Sequence, residues 1–190
     1  VGGRIPDWNI HHPRWARTAV VAFPSAANKS LQLEDRDPYD YAKAVRVFAE
    51  AKTVRLVFRV FARQSDRGRL EIEVLDEAGH RPVRLVFGED GHVRALDGNS
   101  RADAGLYKAG SWYRFEISVN AIGNYDLSIN GKLVIRQAAF AEPAASVERL
   151  SFRTGEFRTE PTRKTDRYSG GDLAGADDPV VPATYYVDDV

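Results

Sequence analysis

Residues 110–133 read GSWYRFEISVNAIGNYDLSINGKL, and this stretch decides the fold class. Across residues 113–119, apolar side chains alternate with polar ones, which is the period of a strand with one buried face. The same alternation returns across residues 125–129. The Asn130-Gly131 pair that follows tolerates positive φ, as a tight hairpin turn requires. The segment therefore predicts an antiparallel meander of three strands.

The alternation continues along most of the chain. We count about eleven short strands, with turn signals roughly every eight to twelve residues, and no convincing helix. This spacing predicts an all-β fold, an antiparallel two-sheet jelly-roll sandwich. We expect residues 1–30 to form an N-terminal arm and first strand, and residues 31–190 to form the jelly roll. Residues 97–110 are predicted as a polar loop, and residues 155–183 as one long irregular insertion of the kind that is often functional.

Composition restricts the possible partners. The 190 residues include 27 Lys and Arg and 27 Asp and Glu, so the net charge is zero, and nucleic acid is not an expected partner. Apolar runs fall short of the length of about 18 residues that a transmembrane helix needs, so no membrane partner is expected. The sequence has no cysteine for a disulfide. It also has no methionine, so we expect a mature or excised segment of a longer protein.

Four stretches of the sequence resemble known proteins. WYRFEISVNAIGNYDLSINGK at 112–132 and TYYVDDV at 184–190 resemble the hairpin core and last strand of concanavalin A-like and laminin-G-like jelly rolls. DPYDYAKAVRVF at 37–48, with SVERLSFRTGEFR at 146–158, is similar to modules attached to bacterial polysaccharide-degrading enzymes. The resemblance implies a glycan-binding, non-catalytic module of a secreted, periplasmic or cell-surface bacterial enzyme. Its expected partners are an oligosaccharide or polysaccharide and a neighbouring catalytic domain.

Two other functions remain open, because a shared fold does not fix function. One is catalysis by a jelly-roll glycoside hydrolase or polysaccharide lyase that acts on an acidic polysaccharide. The other is a structural spacer, with Trp8 and Trp15 at the seam with its neighbour.

Glu71 and Glu73 are the candidate catalytic pair for a hydrolase. Carboxylates two residues apart on a strand project to the same side, about 7 Å apart along the chain. Side chains can bring such carboxylates to the separations that glycosidases use. The run EIEVLDE departs from the resembling glycosidases, because its third acid, Asp76, falls at a different spacing. A lyase would instead need a base such as Tyr168, acting with Arg153, or one of His11 and His12.

One sheet face is predicted to be rich in Arg and Glu. Arginine can grip a uronate carboxylate in a bidentate fork, and glutamate can accept sugar hydroxyls. The alternative is a solvated face of cross-strand ion pairs, each contributing less than about 1 kcal/mol. Trp112 is interpreted as a lid over the sheet edge rather than a sugar platform. The candidate ligand-binding residues are Arg59, Arg84, Arg114, Arg153, Glu156 and Arg158.

Aspartates near the first strands are the candidate metal ligands. Asp35, Asp37 and Asp40 offer hard oxygens at short spacing, as calcium requires. The resembling superfamily often carries a structural calcium near its first and last strands, which implies a further ligand from Asp188 or Asp189. The alternative is turn chemistry, in which the aspartates cap local backbone groups.

Overall fold

The computed structural model describes residues 7–120, 122–155 and 178–190. The regular secondary structure in these residues consists of β-strands. The described residues contain no helix long and apolar enough to cross a membrane. The strands are β1 (Trp8–His11), β2 (Ala16–Ala22), β3 (Lys29–Asp35), β4 (Lys43–Ala51), β5 (Val54–Ala62), β6 (Leu70–Leu75), β7 (Val83–Phe87), β8 (His92–Asp97), β9 (Ser100–Leu106), β10 (Trp112–Asn120), β11 (Asn124–Ile129), β12 (Lys132–Ala139), β13 (Val147–Thr154) and β14 (Ala183–Asp188).

These strands form two antiparallel sheets of seven strands each. Sheet A has the order β1-β4-β13-β6-β7-β8-β9, and sheet B has the order β12-β11-β10-β5-β14-β3-β2. The predicted all-β, two-sheet jelly-roll sandwich of the concanavalin A-like type is confirmed. Consecutive strands often lie in different sheets, so each sheet is assembled from distant parts of the sequence.

The central meander forms as predicted. β10 pairs with β11 from Phe115↔Ile129 to Asn120↔Asn124, and β11 then pairs with β12. At the β11–β12 turn, Asn130 and Gly131 both have positive φ, 51° and 79°, which these two residue types tolerate with little strain.

Aromatic rings join the two sheets at the centre of the core. Phe58 and Phe115 of sheet B stack with ring centroids 5.6 Å apart. Phe152 of sheet A meets Phe58 edge-on at 5.2 Å, and Phe87 meets Phe115 at 5.5 Å. All four side chains are fully buried. Large rings of this kind dominate the apolar area that a sandwich core removes from water.

Two predicted irregular segments contain strands. The segment predicted as a loop after Asp97 holds β9, whose sequence SRADAGL lacks the β-branched and aromatic residues that mark strands. The arm holds β1, which pairs with β4 at the opposite edge of sheet A. Trp8 packs on the core ring of Phe152 at 6.1 Å. Most of the predicted insertion, residues 156–177, lies outside the described residues.

A candidate glycan-binding groove across sheet A

A groove with a volume of about 950 Å³ lies on the outer face of sheet A, over β7, β8 and β9. The strand period creates its floor. Val83, Leu85 and Phe87 of β7 are buried in the core, so the residues between them face outward. The walls come from residues 35–40 and residues 180–183. The floor includes the side chains of Arg84, Val86, Arg94, Leu96 and Arg101.

Charged residues beside the groove are buried, which corrects the sequence analysis. A solvated face of ion pairs was the alternative expected for this face, yet Glu71 and Glu73 are each 1% exposed and Arg153 is 0% exposed. Arg153 contacts Glu71 at 2.6 Å between Nη2 and Oε2. Arg69 contacts the other oxygen of Glu71 at 2.7 Å, and Arg84 contacts Oε2 at 3.3 Å. The strand alternation predicted the correct face but not that other parts of the chain cover it.

These contacts keep Glu71 ionised. Burial alone would raise the pKa of Glu71, but the positive charges of Arg153, Arg69 and Arg84 outweigh burial and hold it below the ordinary 4.5. A general acid must carry a proton near neutral pH, and Glu71 does not. The carboxylate instead fixes the guanidinium groups around it.

Glu73 and Lys43 extend this buried network. Glu73 Oε1 lies 3.5 Å from Arg81 Nη1 and 3.7 Å from Arg153 Nη2. Burial lowers the pKa of Lys43, while the charge of Glu73 opposes that shift. Arg81 also pairs with Glu142 at 3.0 Å. The network joins β4, β6, β7 and β13 beneath the groove. These contacts hold the four strands and their arginines in place.

Arg94 and Arg101 lie on the floor at the β8–β9 side. Arg94 grips both oxygens of Asp90, with Nη1 2.9 Å from Oδ1. A Cβ at position 88 would lie 2.6 Å from Asp90 Oδ1, so a residue larger than glycine there would require the Asp90 side chain to move. Arg101 is exposed and lies across from Leu96. Within the part of the chain that the structure describes, its guanidinium has no ion-pair or hydrogen-bond partner.

The opposite wall is an acidic loop, defined here as residues 35–40. Its carboxylates accept hydrogen bonds from local backbone N–H groups: Asp35 from Asp37 at 2.9 Å, and Asp37 from Tyr39 at 2.9 Å and from Asp40 at 2.7 Å. Burial raises the pKa of Asp35 to about 6, and the charges of Asp37 and Asp40 add to the effect. Asp40 also bonds His11 at 3.1 Å. This is the turn chemistry named above as the alternative to a metal site.

A family model described as "Sialidase-like, CBM domain" matches residues 8–169, where CBM denotes a carbohydrate-binding module. The chain belongs to this family. The sialidase-like CBM domain is thus a glycan-binding β-sandwich module. No curated protein gave a significant match.

Solved structures agree with the family. A structure titled "Sialidase" is 34% identical with a TM-score of 0.87, and the match covers 96% of this chain and 16% of that one. An endo-β-1,4-glucuronan lyase from the fungus Trichoderma reesei is 10% identical with a TM-score of 0.57, covering 98% and 90%. A binding domain of botulinum neurotoxin DC, in complex with SialylT, is 14% identical with a TM-score of 0.54, covering 96% and 41%. The last two share the fold alone.

The predicted metal ligands of the CBM domain lie apart. Ala183, at the start of β14, pairs with Asp35, whereas Asp188 lies near the other end of that strand and pairs with Arg59. Asp188 accepts hydrogen bonds from Asn28 at 2.8 Å. Across residues 7–120, 122–155 and 178–190, no group of three or more His, Cys, Asp or Glu residues is arranged to hold a metal. These residues do not fit calcium as a set, and structural calcium stays a prediction.

The predicted ligand-binding residues divide between the two faces of the CBM domain. Arg84 lines the groove, and Arg153 lies buried beside it. Arg59 and Arg114 lie on the outer face of sheet B, where Arg59 pairs with Asp189 at 2.6 Å and Arg114 with Glu116 at 3.3 Å. The other predicted residues, Glu156, Arg158 and the candidate base Tyr168, lie outside the described residues.

Trp112 is not in the groove. It lies on the outer face of sheet B, half-buried, with its ring 5.4 Å from Phe61 and 5.9 Å from Phe23. The guanidinium of Arg59 covers it at 5.2 Å. The contacts tie Trp112 into an aromatic cluster, which is closer to the predicted lid than to an open sugar platform.

Sequence reasoning missed the arginines at the β8–β9 side of the groove. Arg94 and Leu96 alternate with the buried Val93 and Ala95, so the strand period contained the signal for β8. Arg101 was predicted to lie in a loop. Because a loop has no regular period, the sequence did not predict which way its side chain points.

Proposed function

We propose that this domain binds a glycan carrying an acidic sugar in the groove on sheet A, with Arg101 contacting the sugar carboxylate and Arg84 lining the other side of the sugar ring. One observation carries the proposal. Arg101 presents a guanidinium without a partner in the described chain, on the floor of a groove of about 950 Å³. Guanidinium and carboxylate groups match as a bidentate pair, which supplies both affinity and orientation.

Leu96 separates the two arginines and adds an apolar contact. Arg84 lies on β7 and Arg101 on β9, so their backbones are about two strand spacings, roughly 10 Å, apart. A sugar ring between them would place its C–H face on Leu96 and its carboxylate toward one guanidinium. Arg84 is held in position by Glu71 at 3.3 Å, so little side-chain freedom would be lost on binding.

Sialic acid is the acidic sugar to test first. The 34% identical structure is titled "Sialidase", and the match covers only 16% of that longer chain. We also propose that this domain neighbours a catalytic domain in a longer, secreted or cell-surface bacterial enzyme. Its role there would be to keep the catalytic domain close to the glycan by weak, reversible binding.

Calorimetric titration with 3′-sialyllactose and with lactose tests the proposal. We expect binding of the sialylated sugar only, with Arg101→Ala lowering affinity by roughly tenfold or more, because a charge-assisted hydrogen bond contributes about 1.5–3 kcal/mol. Arg101→Lys keeps the positive charge but cannot form a bidentate contact. Its affinity for 3′-sialyllactose is expected to lie between those of wild type and Arg101→Ala.

Arg114→Ala is the matched control, since it removes an arginine from the opposite sheet. Melting curves of each variant establish that the fold is retained. The proposal fails if wild-type protein binds neither sugar, or if Arg101→Ala binds 3′-sialyllactose as tightly as wild type.

A further inference from the structure

The two ends of the groove carry opposite charge. Arg101 lies on β9, at the edge of sheet A, and the acidic loop lies against the end of β13. A Cβ at Gly155, just after β13, would sit 3.5 Å from both Asp35 Oδ2 and the carbonyl oxygen of Asp40. Three strands separate β13 from β9, so the two ends are about 19 Å apart. The groove is therefore longer than a single sugar ring.

The acidic end offers acceptors and apolar surface. Asp37 and Asp40 line it, next to Val180 and Val181, which are 48% and 68% exposed. The backbone N–H of Val180 donates to the carbonyl of Arg36 at 2.8 Å, which holds the valines against the loop. A neutral sugar has hydroxyl donors at its rim and C–H groups on its face, and both find partners at this end.

Two arginines that line this end already contact other carboxylates. Arg67 pairs with Asp66 at 2.8 Å, and Arg69 pairs with Glu71 at 2.7 Å. His11 is the partner of Asp40. A carboxylate that entered this end would meet Asp35, Asp37 and Asp40, and like charges in a partly desolvated groove repel.

We propose that the groove selects its ligand by polarity: one acidic sugar binds at the Arg101 end, and neutral sugars occupy the acidic-loop end. The domain then prefers glycans with a single terminal carboxylate and rejects chains of uronates. This inference rests on the proposed function, and it adds Asp37 and Asp40 as specificity-determining residues.

Three probes test the polarity by calorimetry: 3′-sialyllactose with one carboxylate, trigalacturonic acid with three, and neutral lactose. Wild-type protein is expected to bind 3′-sialyllactose at least tenfold more tightly than trigalacturonic acid. The double variant Asp37→Asn/Asp40→Asn removes the repelling charges, while each amide retains an oxygen to accept the backbone hydrogen bonds. We expect it to reduce the preference at least fivefold, mainly by binding the uronate more tightly.

Asp126→Asn is the matched control. Asp126 also accepts a backbone hydrogen bond, from Gln137 at 2.7 Å, but it lies on sheet B, away from the groove. The preference of Asp126→Asn for 3′-sialyllactose over trigalacturonic acid should equal that of wild type. If the double variant retains the full wild-type preference, the polarity proposal is wrong.

The two proposals fail in different ways. If 3′-sialyllactose and trigalacturonic acid bind wild type equally, and Arg101→Ala binds neither, the polarity proposal is wrong and the proposed function stands. Binding of neither acidic probe overturns the proposed function itself, and the polarity with it.

Discussion

The outer faces of the two sheets have similar sequences and different environments. On sheet B, Arg55 makes a two-point contact with Glu116 at 2.7 Å, and Arg55 is 62% exposed. On sheet A, Arg153 and Glu71 contact each other at 2.6 Å with almost no exposure. Both pairs come from the same alternation of charged and apolar residues. The difference teaches that strand period assigns a side chain to a face, whereas the loops that cross that face determine its solvation.

Breaking the buried pair should have the largest effect. Arg153→Met keeps most of the side-chain volume but removes a charge from Glu71, so we expect a loss of roughly 3–5 kcal/mol in the free energy of unfolding. Urea unfolding followed by fluorescence measures it. Arg114→Met on sheet B is the matched control and is expected to change stability little. Adding Glu71→Gln to Arg153→Met should recover part of the loss, and a loss of equal size in the control would contradict the comparison.

The buried Asp35 should make the stability of the domain depend on pH more than an aspartate on the outer face of sheet B does. The pKa of Asp35 rises on folding from 3.8 to about 6, so between these pH values the native state binds more protons than the unfolded state. Stability should therefore decrease as pH rises through this interval, by about 2–3 kcal/mol in total. Asp35→Asn removes this cost and is expected to raise the melting temperature at pH 8 but not at pH 3.5.

The control for Asp35 is Asp126→Asn, which changes the same chemical group on the opposite face. The gain in melting temperature between pH 3.5 and pH 8, relative to wild type, should be larger for Asp35→Asn than for this control. If the two variants respond to pH alike, the pKa of Asp35 does not rise on folding and this prediction is wrong.

The exposed pair of Arg55 and Glu116 should show the smallest effect. A double-mutant cycle with Arg55→Ala and Glu116→Ala is expected to give a coupling too small to separate from experimental error, because water and salt screen the pair. The cycle is measured by urea unfolding at low and at high salt. A strong coupling that persists in high salt would place this pair with the buried network and remove the contrast between the faces.

The fold was predictable where local patterns are strong. The β10–β12 meander follows from alternation and from Asn130-Gly131, and the same pattern identified most other strands. β9 was missed because Ser100, Ala102 and Gly105 carry no strand signal, and its pairing with β8 comes from tertiary context.

The site was less predictable than the fold. Arg84 was identified as a ligand-binding candidate from its alternation with buried neighbours, and the groove includes it. The groove depends on residues 35–40 and 180–183, which form its walls, and the position of Arg101 depends on the pairing of β9 with β8. The wall contacts join segments far apart in sequence, and no local pattern encodes them. Arg59 and Arg114 were grouped with Arg84 because alternation does not say which sheet a strand joins.

β9 is the last strand of sheet A among those described, and this position has a consequence for association between molecules. A terminal strand exposes unpaired N–H and C=O groups, and another chain can add to it and start aggregation. Charged side chains deter such addition, and Arg101 and Asp103 lie along β9 with a register irregularity opposite Arg94. Arg101 would then oppose the addition of another strand at this edge, so size-exclusion chromatography should accompany every substitution at this position.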